Sequence, residues 1–322
     1  MEEARMAGPS AGPAAIRALS VQNNAPAVLR IVSQLGLIAA MAVLISVLAM
    51  AYGVLVTLPL MAAQGFCIAF LFTPLHETAH KTAFKMRSLN TAVGQICGVL
   101  IGLPYEYYRL FHWDHHRHTQ DLDKDPELIV GSRTDSLPRR FLSFSGLPQL
   151  GNRLLLMLRH AVTGKVAAPW IPEDKRSLIV REARAYTAFY LALAAGSVAL
   201  ASPLLLWVWI VPLLIGQLFL RPYLYSEHTG CGHSSSALEN TRTTYTNGIV
   251  RWFAWNMPYH AEHHAFPSVP FHALPELNRL VAARIVHQGQ GYRRVIPAAW
   301  RWLTEASGAR PPASSHSRQT AA

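Results

Sequence analysis

The stretch IVSQLGLIAAMAVLISVLAMAYGVLVTLPLMAAQGFCIAFLFTPLH, residues 31–76, contains no Asp, Glu, Lys or Arg over its 46 positions. Soluble cores are rarely free of charge for so long, whereas a transmembrane helix needs only about 20 mostly apolar residues to cross a hydrocarbon layer roughly 30 Å thick. The stretch therefore holds two crossings, joined at the small break Ala51-Tyr52-Gly53. A second charge-free run, residues 185–220, is 36 residues long and is interrupted at Ala201-Ser202-Pro203. The expected fold is an all-α integral membrane protein with four transmembrane helices in two hairpins, and the polar segments form a helical cap on one side.

The remaining composition agrees with this. Of the 322 residues 51% are apolar and only 15% charged, against roughly 25% charged in an average soluble protein. Every Lys and Arg lies before residue 31, between residues 81 and 184, or after residue 220. Positive residues favour the cytoplasmic side, so the two uncharged turns are expected outside and both termini inside. The net charge of +11 then belongs to one face, suited to anionic headgroups or an acidic protein partner. No nucleic-acid motif accompanies that charge, and a nucleic-acid partner is not expected. The first 30 residues carry Glu2 and Glu3 and lack the apolar core of a signal peptide, so the first crossing is expected to serve as anchor and targeting signal. Residues 1–27 and 306–322 are expected to be disordered tails around a membrane domain at 28–305. Cys67, Cys97 and Cys231 form no CxxC pair, which argues against a disulfide framework or a thiolate metal site.

The chain has 15 histidines, and most are clustered. The first charge-free run ends in LHETAH, with His76 and His80. FHWDHHRHTQDLDKDPEL carries His112, His115, His116 and His118, and WNMPYHAEHHAFPSVPFH carries His260, His263, His264 and His272. YSEHTGCGH, just past the second run, adds His228 and His233. Residues three and four apart share a helical face, so each cluster can aim its imidazoles in one direction. HETAH taken alone matches the HExxH signature of zinc proteases, with Glu77 as general base. That reading leaves the other two clusters unexplained, as does a metal transporter, whose ligands lie near the bilayer midplane. Eight or nine imidazoles exceed the three or four of one zinc site and suit two metal ions, although imidazole spacing does not name the metal. For the clusters to share a site, the apolar segment 89–105 must not cross the bilayer. It is short, contains Gly94, Gly98 and Gly102, and reads as a re-entrant or interfacial helix.

In these residues the chain resembles the membrane-bound fatty acid desaturase superfamily, which includes related hydroxylases and carotenoid ketolases. HETAH, HWDHHRHTQDLDKDPEL and NMPYHAEHHAFPSVPFHALPEL occur in that family's order, with the two hairpins placed as the family places them. The resemblance implies a centre of two iron ions ligated by His76, His80, His112, His115, His116, His260, His263 and His264. His228 is the expected additional ligand, and His233 is its rival. The resemblance further implies O2 as co-substrate, a lipid or acyl-chain substrate, and electrons from a separate ferredoxin or reductase. Introduction of a double bond into an acyl chain is the favoured activity, with hydroxylation or ketolation of a hydrocarbon or carotenoid as the alternative. The expected location is the bacterial inner membrane, with the active site on its cytoplasmic side. Glu77, Asp114, Asp125, Glu227 and Glu262 are candidates for carboxylates that orient ligand imidazoles, and Asn256 for a hydrogen bond to a metal-bound water. Tyr105, Tyr107, Tyr108, Trp113, Trp252 and Trp255 read equally as acyl-tunnel or interfacial residues.

Overall fold

The computed structural model describes residues 12–130 and 136–305. The tail 306–322 lies outside the described residues, as do residues 1–11 of the N-terminal stretch expected to lack order. The rest of that stretch forms α1 (Pro13–Leu19) and the start of α2 (Asn24–Tyr52). Ile16 and Leu19 pack on the main core, a burial that residue composition does not disclose. The Asn23 side chain caps α2 by accepting from the Ala25 N–H, one of the donors a helix start leaves free. At 1.5 Å per residue the 29 residues of α2 reach roughly 43 Å, more than a bilayer core.

α2 stops at Gly53, whose φ of 85° is readily open only to glycine. This is the break foreseen at residues 51–53. A 3₁₀ turn, Val54–Thr57, leads into α3 (Leu58–Ala69) and then α4 (Phe72–Ala79), every residue of which is buried. α5 (Arg87–Ile101) has 15 residues, about 22 Å, too short to cross. It packs along α4 and ends at Gly102 with φ 68°. α6 (Tyr105–His118), α7 (Pro126–Val130), α8 (Leu137–Phe144) and α9 (Leu147–Thr163) follow. α10 (Glu173–Ala199) and α11 (Val211–His228) flank the second foreseen turn, where Ala201 has φ 46°.

Among the described residues, three helical stretches are long and apolar enough to cross a membrane: Asn24–Tyr52, Val54–Ala79 and Leu206–His228. The fourth expected crossing falls on α10 and is not among them. Seven charged residues between Glu173 and Arg184 occupy the first half of α10, which leaves 15 uncharged residues before Leu200.

The all-α expectation needs one correction. After α12 (Ala237–Asn240), β1 (Arg242–Tyr245) pairs in parallel with β2 (His287–Gln290), Arg242 opposite His287. Thr243 and Thr244 are buried, and buried backbone polar groups need partners. The pairing with β2 supplies them, together with a bond of 2.8 Å from the Thr244 N–H to the Pro258 carbonyl. β1 thereby holds the segment that leads into the third histidine cluster. The remaining helices are α13 (Gly248–Phe253), α14 (His260–Ala265), α15 (Leu274–Val281) and α16 (Tyr292–Glu305).

α3 and α11 form the tightest helix pair. A Cβ built on Gly65 would lie 2.3 Å from the Pro212 carbonyl oxygen, and one on Gly216 would lie 2.2 Å from that of Gly65. Small residues that let backbones touch are the usual means of helix association in lipid. The helices so joined end in His76, by way of α4, and in His228. On the other side of α3, Gln34 of α2 donates to the Cys67 carbonyl at 3.0 Å, which satisfies a buried amide.

Candidate metal centre

α4, α6, α11 and α14 bring their histidines to one place. In the first group His76, His80, His112, His116 and His263 each offer a ring nitrogen, all within 4.8 Å of one another. The second group joins His115, His228 and His264 within the same limit. His260 belongs with it, its Nε2 lying 3.2 Å from that of His228 and 3.1 Å from that of His264. The groups abut, with the rings of His116 and His264 stacked at 3.9 Å.

Helical phase explains the partition. In α6 the i, i+4 pair His112 and His116 serves one group, while His115 turns to the other. In α14 the pair His260 and His264 serves the second group and His263 the first.

Hydrogen bonding among the rings cannot account for this arrangement. A ring nitrogen carries either one hydrogen or one lone pair, yet His263 Nε2 has two close neighbours, His76 Nε2 at 2.8 Å and His80 Nε2 at 3.1 Å. His260 Nε2 likewise faces two. Both nitrogens of His116 are buried without a partner, a costly state for polar atoms. Nitrogens bound to one cation at about 2.0–2.1 Å would lie on the order of 3–4 Å apart, close to the spacing here. The residues fit two metal ions.

Burial and repulsion between neighbouring rings hold the pKa of His80, His112, His116, His260 and His264 well below the ordinary value. Burial, with the charge of His115, takes His263 down to about 3. Neutral imidazole is the ligating form. His115 moves the other way, because Glu127 and Asp125 outweigh the burial that opposes its charge.

Of the five carboxylates foreseen as orienting groups, two meet an imidazole of the two groups. Asp125 accepts from His115 Nδ1 at 2.9 Å and is itself fixed by the Gln120 and Glu127 N–H groups. Glu227 Oε1 lies 3.6 Å from His260 Nδ1. The other three do not. Asp114 pairs with Arg117 at the surface. Glu262 takes hydrogen bonds from Thr243 and Asn278, tying α14 to β1 and α15. Glu77 accepts from Thr82 Oγ1 at 2.7 Å and from the Phe271 N–H at 3.1 Å. It clamps α4 to the flank of the third cluster, which is not the position of a protease base.

His233 bonds the Gln120 carbonyl at 2.9 Å and stands outside both groups, as do His118 and His272. His228→Ala is expected to remove about one metal equivalent per chain, and His233→Ala none; elemental analysis of the purified proteins decides. Asn256 bonds a backbone carbonyl and not a ring. Its side chain donates to the Phe271 carbonyl at 3.0 Å, and it and Trp255 have φ of 56° and 48°, a sharp turn that aims α14 inward. Trp255 is buried on Phe271, Trp252 lies under the Arg30 guanidinium, and Tyr105 bonds the Thr78 carbonyl. These three pack the scaffold. Tyr107 rests against His160, apart from the rings. Tyr108 is at the site, stacked on His112 at 5.2 Å with its hydroxyl 3.4 Å from His76 Nδ1. Trp113 meets His80 edge-on. Thr119, 3.2 Å from His264 Nδ1, and Asn240 and Thr241, each 3.4 Å from His228 Nδ1, were not foreseen. Thr119 directly follows the second cluster, but nothing in the sequence marks the other two.

A largely helical chain with helices long and apolar enough to cross a membrane and two adjoining imidazole groups defines a histidine-box membrane oxidoreductase. The fatty acid desaturase family model matches residues 52–295, and the chain belongs to that family. It is 28% identical over 253 residues to dihydrorhizobitoxine desaturase of Bradyrhizobium elkanii, covering 72% of this chain and 68% of the relative. It is 26% identical to the endoplasmic-reticulum acyl-lipid omega-3 desaturase (cytochrome b5) of Arabidopsis thaliana, over 68% and 61% of the two chains. It is 28% identical to the sphingolipid delta(4)-desaturase/C4-monooxygenase DES2 of Rattus norvegicus, over 76% and 72%.

Proposed function

We propose that the protein introduces a double bond into the acyl chain of a lipid, using O2, two iron ions and electrons from a separate donor. The observation that carries this is the gathering of nine buried or half-buried imidazoles into two adjoining groups within a desaturase-family chain. His76, His80, His112, His116 and His263 would hold one ion, and His115, His228, His260 and His264 the other. The bound irons would supply an oxidant able to remove hydrogen from an unactivated C–H bond. Desaturation takes two hydrogens from adjacent carbons, and with two electrons and two protons from outside, O2 leaves as two waters.

The chain's own part is orientation and the exclusion of water. Asp125 keeps the proton of His115 on Nδ1, so that Nε2 faces inward. Glu227 stands at the corresponding nitrogen of His260, and Thr119 at that of His264. The burial of α4 and α14 shields the site from bulk water.

In the membrane, α10 as a whole, 27 residues long and so roughly 40 Å, would make the fourth crossing beside Leu206–His228, with its charged first half in the headgroup region. The turns at Gly53 and Ala201 would then lie outside, and the imidazoles and both termini on the cytoplasmic side of a bacterial inner membrane. An acidic ferredoxin or reductase suits the basic inner face.

Hydroxylation is the second reading, favoured by the relative whose name joins a desaturase with a monooxygenase. The test is iron analysis of the purified protein with lipid profiling of cells that express it. About two irons per chain and products two mass units lighter than their precursors are expected. Products 16 units heavier would establish hydroxylation instead, and a single zinc with an unchanged lipid profile would overturn both readings.

A further inference from the structure

Between α9 and α11, away from the two imidazole groups, the half-buried Arg153 and Arg221 come together without an ion pair, and Glu227, six residues beyond Arg221 on α11, is the buried acid in the neighbourhood. Gly146, with φ 77°, lets the turn before α9 approach α11 closely: a Cβ there would lie 3.0 Å from that of Arg221 and 3.2 Å from the Gln217 carbonyl. Arg153 of α9 reaches Gln217 Oε1 only at 3.5 Å. Arg221, one turn beyond Gln217, lies over the Tyr225 ring at 4.3 Å. Tyr225 meets Ser143 at 2.7 Å, and Ser143 accepts from Gln149 Nε2 at 2.9 Å. The Nε atoms of both arginines are buried and have no partner. Among the described residues neither arginine forms an ion pair. Burial and the neighbouring charge of Arg221 bring the Arg153 pKa down to about 10, so it remains charged at neutral pH.

A guanidinium Nε buried without a partner is costly, and two like charges near one another add to that cost. The group that relieves both is a planar or tetrahedral oxyanion, which a guanidinium fork binds through paired hydrogen bonds. The pair faces the correct medium for a lipid head, because the outer side of α9 exposes Leu154, Leu155, Leu158 and Val162, as an interfacial helix does. It is also within reach of the metal centre. Arg221 precedes His228 by seven residues of α11, roughly 10 Å along the axis.

We propose that Arg153 and Arg221 bind the anionic head, a carboxylate or a phosphate, of the lipid substrate and so determine which lipids the enzyme accepts. The assignment to a substrate rests on the lipid-oxidising reading above; the presence of an anion site does not.

The test uses the metal-loaded full chain in phosphatidylcholine nanodiscs, with palmitate, hexadecanol and dioleoyl phosphatidylglycerol as probes. At least one anionic probe is expected to bind tenfold or more tighter than hexadecanol, as a charge-assisted contact implies. Arg153→Gln and Arg221→Gln should each abolish that preference, with metal content unchanged, and Arg153→Lys should keep part of it. Tighter binding of palmitate identifies a carboxylate head, and tighter binding of phosphatidylglycerol a phosphate. In turnover the Gln variants should raise KM at least tenfold and leave kcat within about threefold. Equal binding of hexadecanol and both anions, or variants that keep the preference, overturns the site. A preference that depends on the arginines in a protein that oxidises no lipid leaves the anion site standing and overturns the proposed function.

Discussion

His263→Ala is expected to cost the protein at least half of its bound metal and to lower turnover by a factor of about 10³ or more. His263 Nε2 is the nitrogen on which the first group converges, 2.8 Å from His76 and 3.1 Å from His80. Its ring also lies within 5.0 Å of that of His116. Alanine would leave four imidazoles without their central member and open a void where no other side chain can supply a donor. α14 should survive the change, because Glu262 still holds it to Thr243 and Asn278. The checks are elemental analysis, turnover in reconstituted membranes and far-ultraviolet circular dichroism. His272→Ala, at a histidine outside both groups, serves as control and should change none of them. Full metal content in His263→Ala would refute the assignment of the first group.

Gly216→Val should destabilise the protein by about 3 kcal/mol or more, the upper range for overpacking, and lower its melting temperature by roughly 10 °C. The atom that a new Cβ would meet is a backbone carbonyl, that of Gly65 at 2.2 Å, with the Ala69 Cβ at 2.9 Å. A flexible side chain could swing away, but here the helices themselves must part. α3 leads through α4 to His76, and α11 carries His228, so the separation should also loosen metal from both groups. Gly36→Ala is the control, because a Cβ at Gly36 meets nothing within 4 Å. Thermal unfolding of the two variants in detergent, followed with metal release, decides. An unchanged melting temperature for Gly216→Val would show that α3 and α11 are not held at backbone contact.

The membrane character, both helix breaks and the nine converging histidines were legible because each depends on local chemistry. Long runs without charge, a glycine free to take positive φ at residue 53, and imidazoles at i, i+3 and i+4 are all properties of neighbouring residues. The roles of the carboxylates were not legible in the same way. Asp125 and Glu77 are both buried acids near a histidine cluster, and only the former touches a ring. Glu77 is turned toward Thr82 and Phe271, the latter 194 residues away, and no local pattern encodes such a partner. The same holds for β1 and β2, two four-residue strands separated by more than 40 residues whose pairing depends on the packing around them.

The sequence by itself determined that the chain has runs apolar enough to enter a membrane, where those helices break, and which imidazoles are available to a metal centre, because charge, backbone freedom and helical spacing act over a few residues. Only the tertiary structure decided how those imidazoles divide into groups of five and four, which acids hold them, and that Arg153 and Arg221 each bury an Nε without a partner. Those outcomes depend on helix phase and on contacts between segments far apart in the chain, and they exist only once the helices have packed.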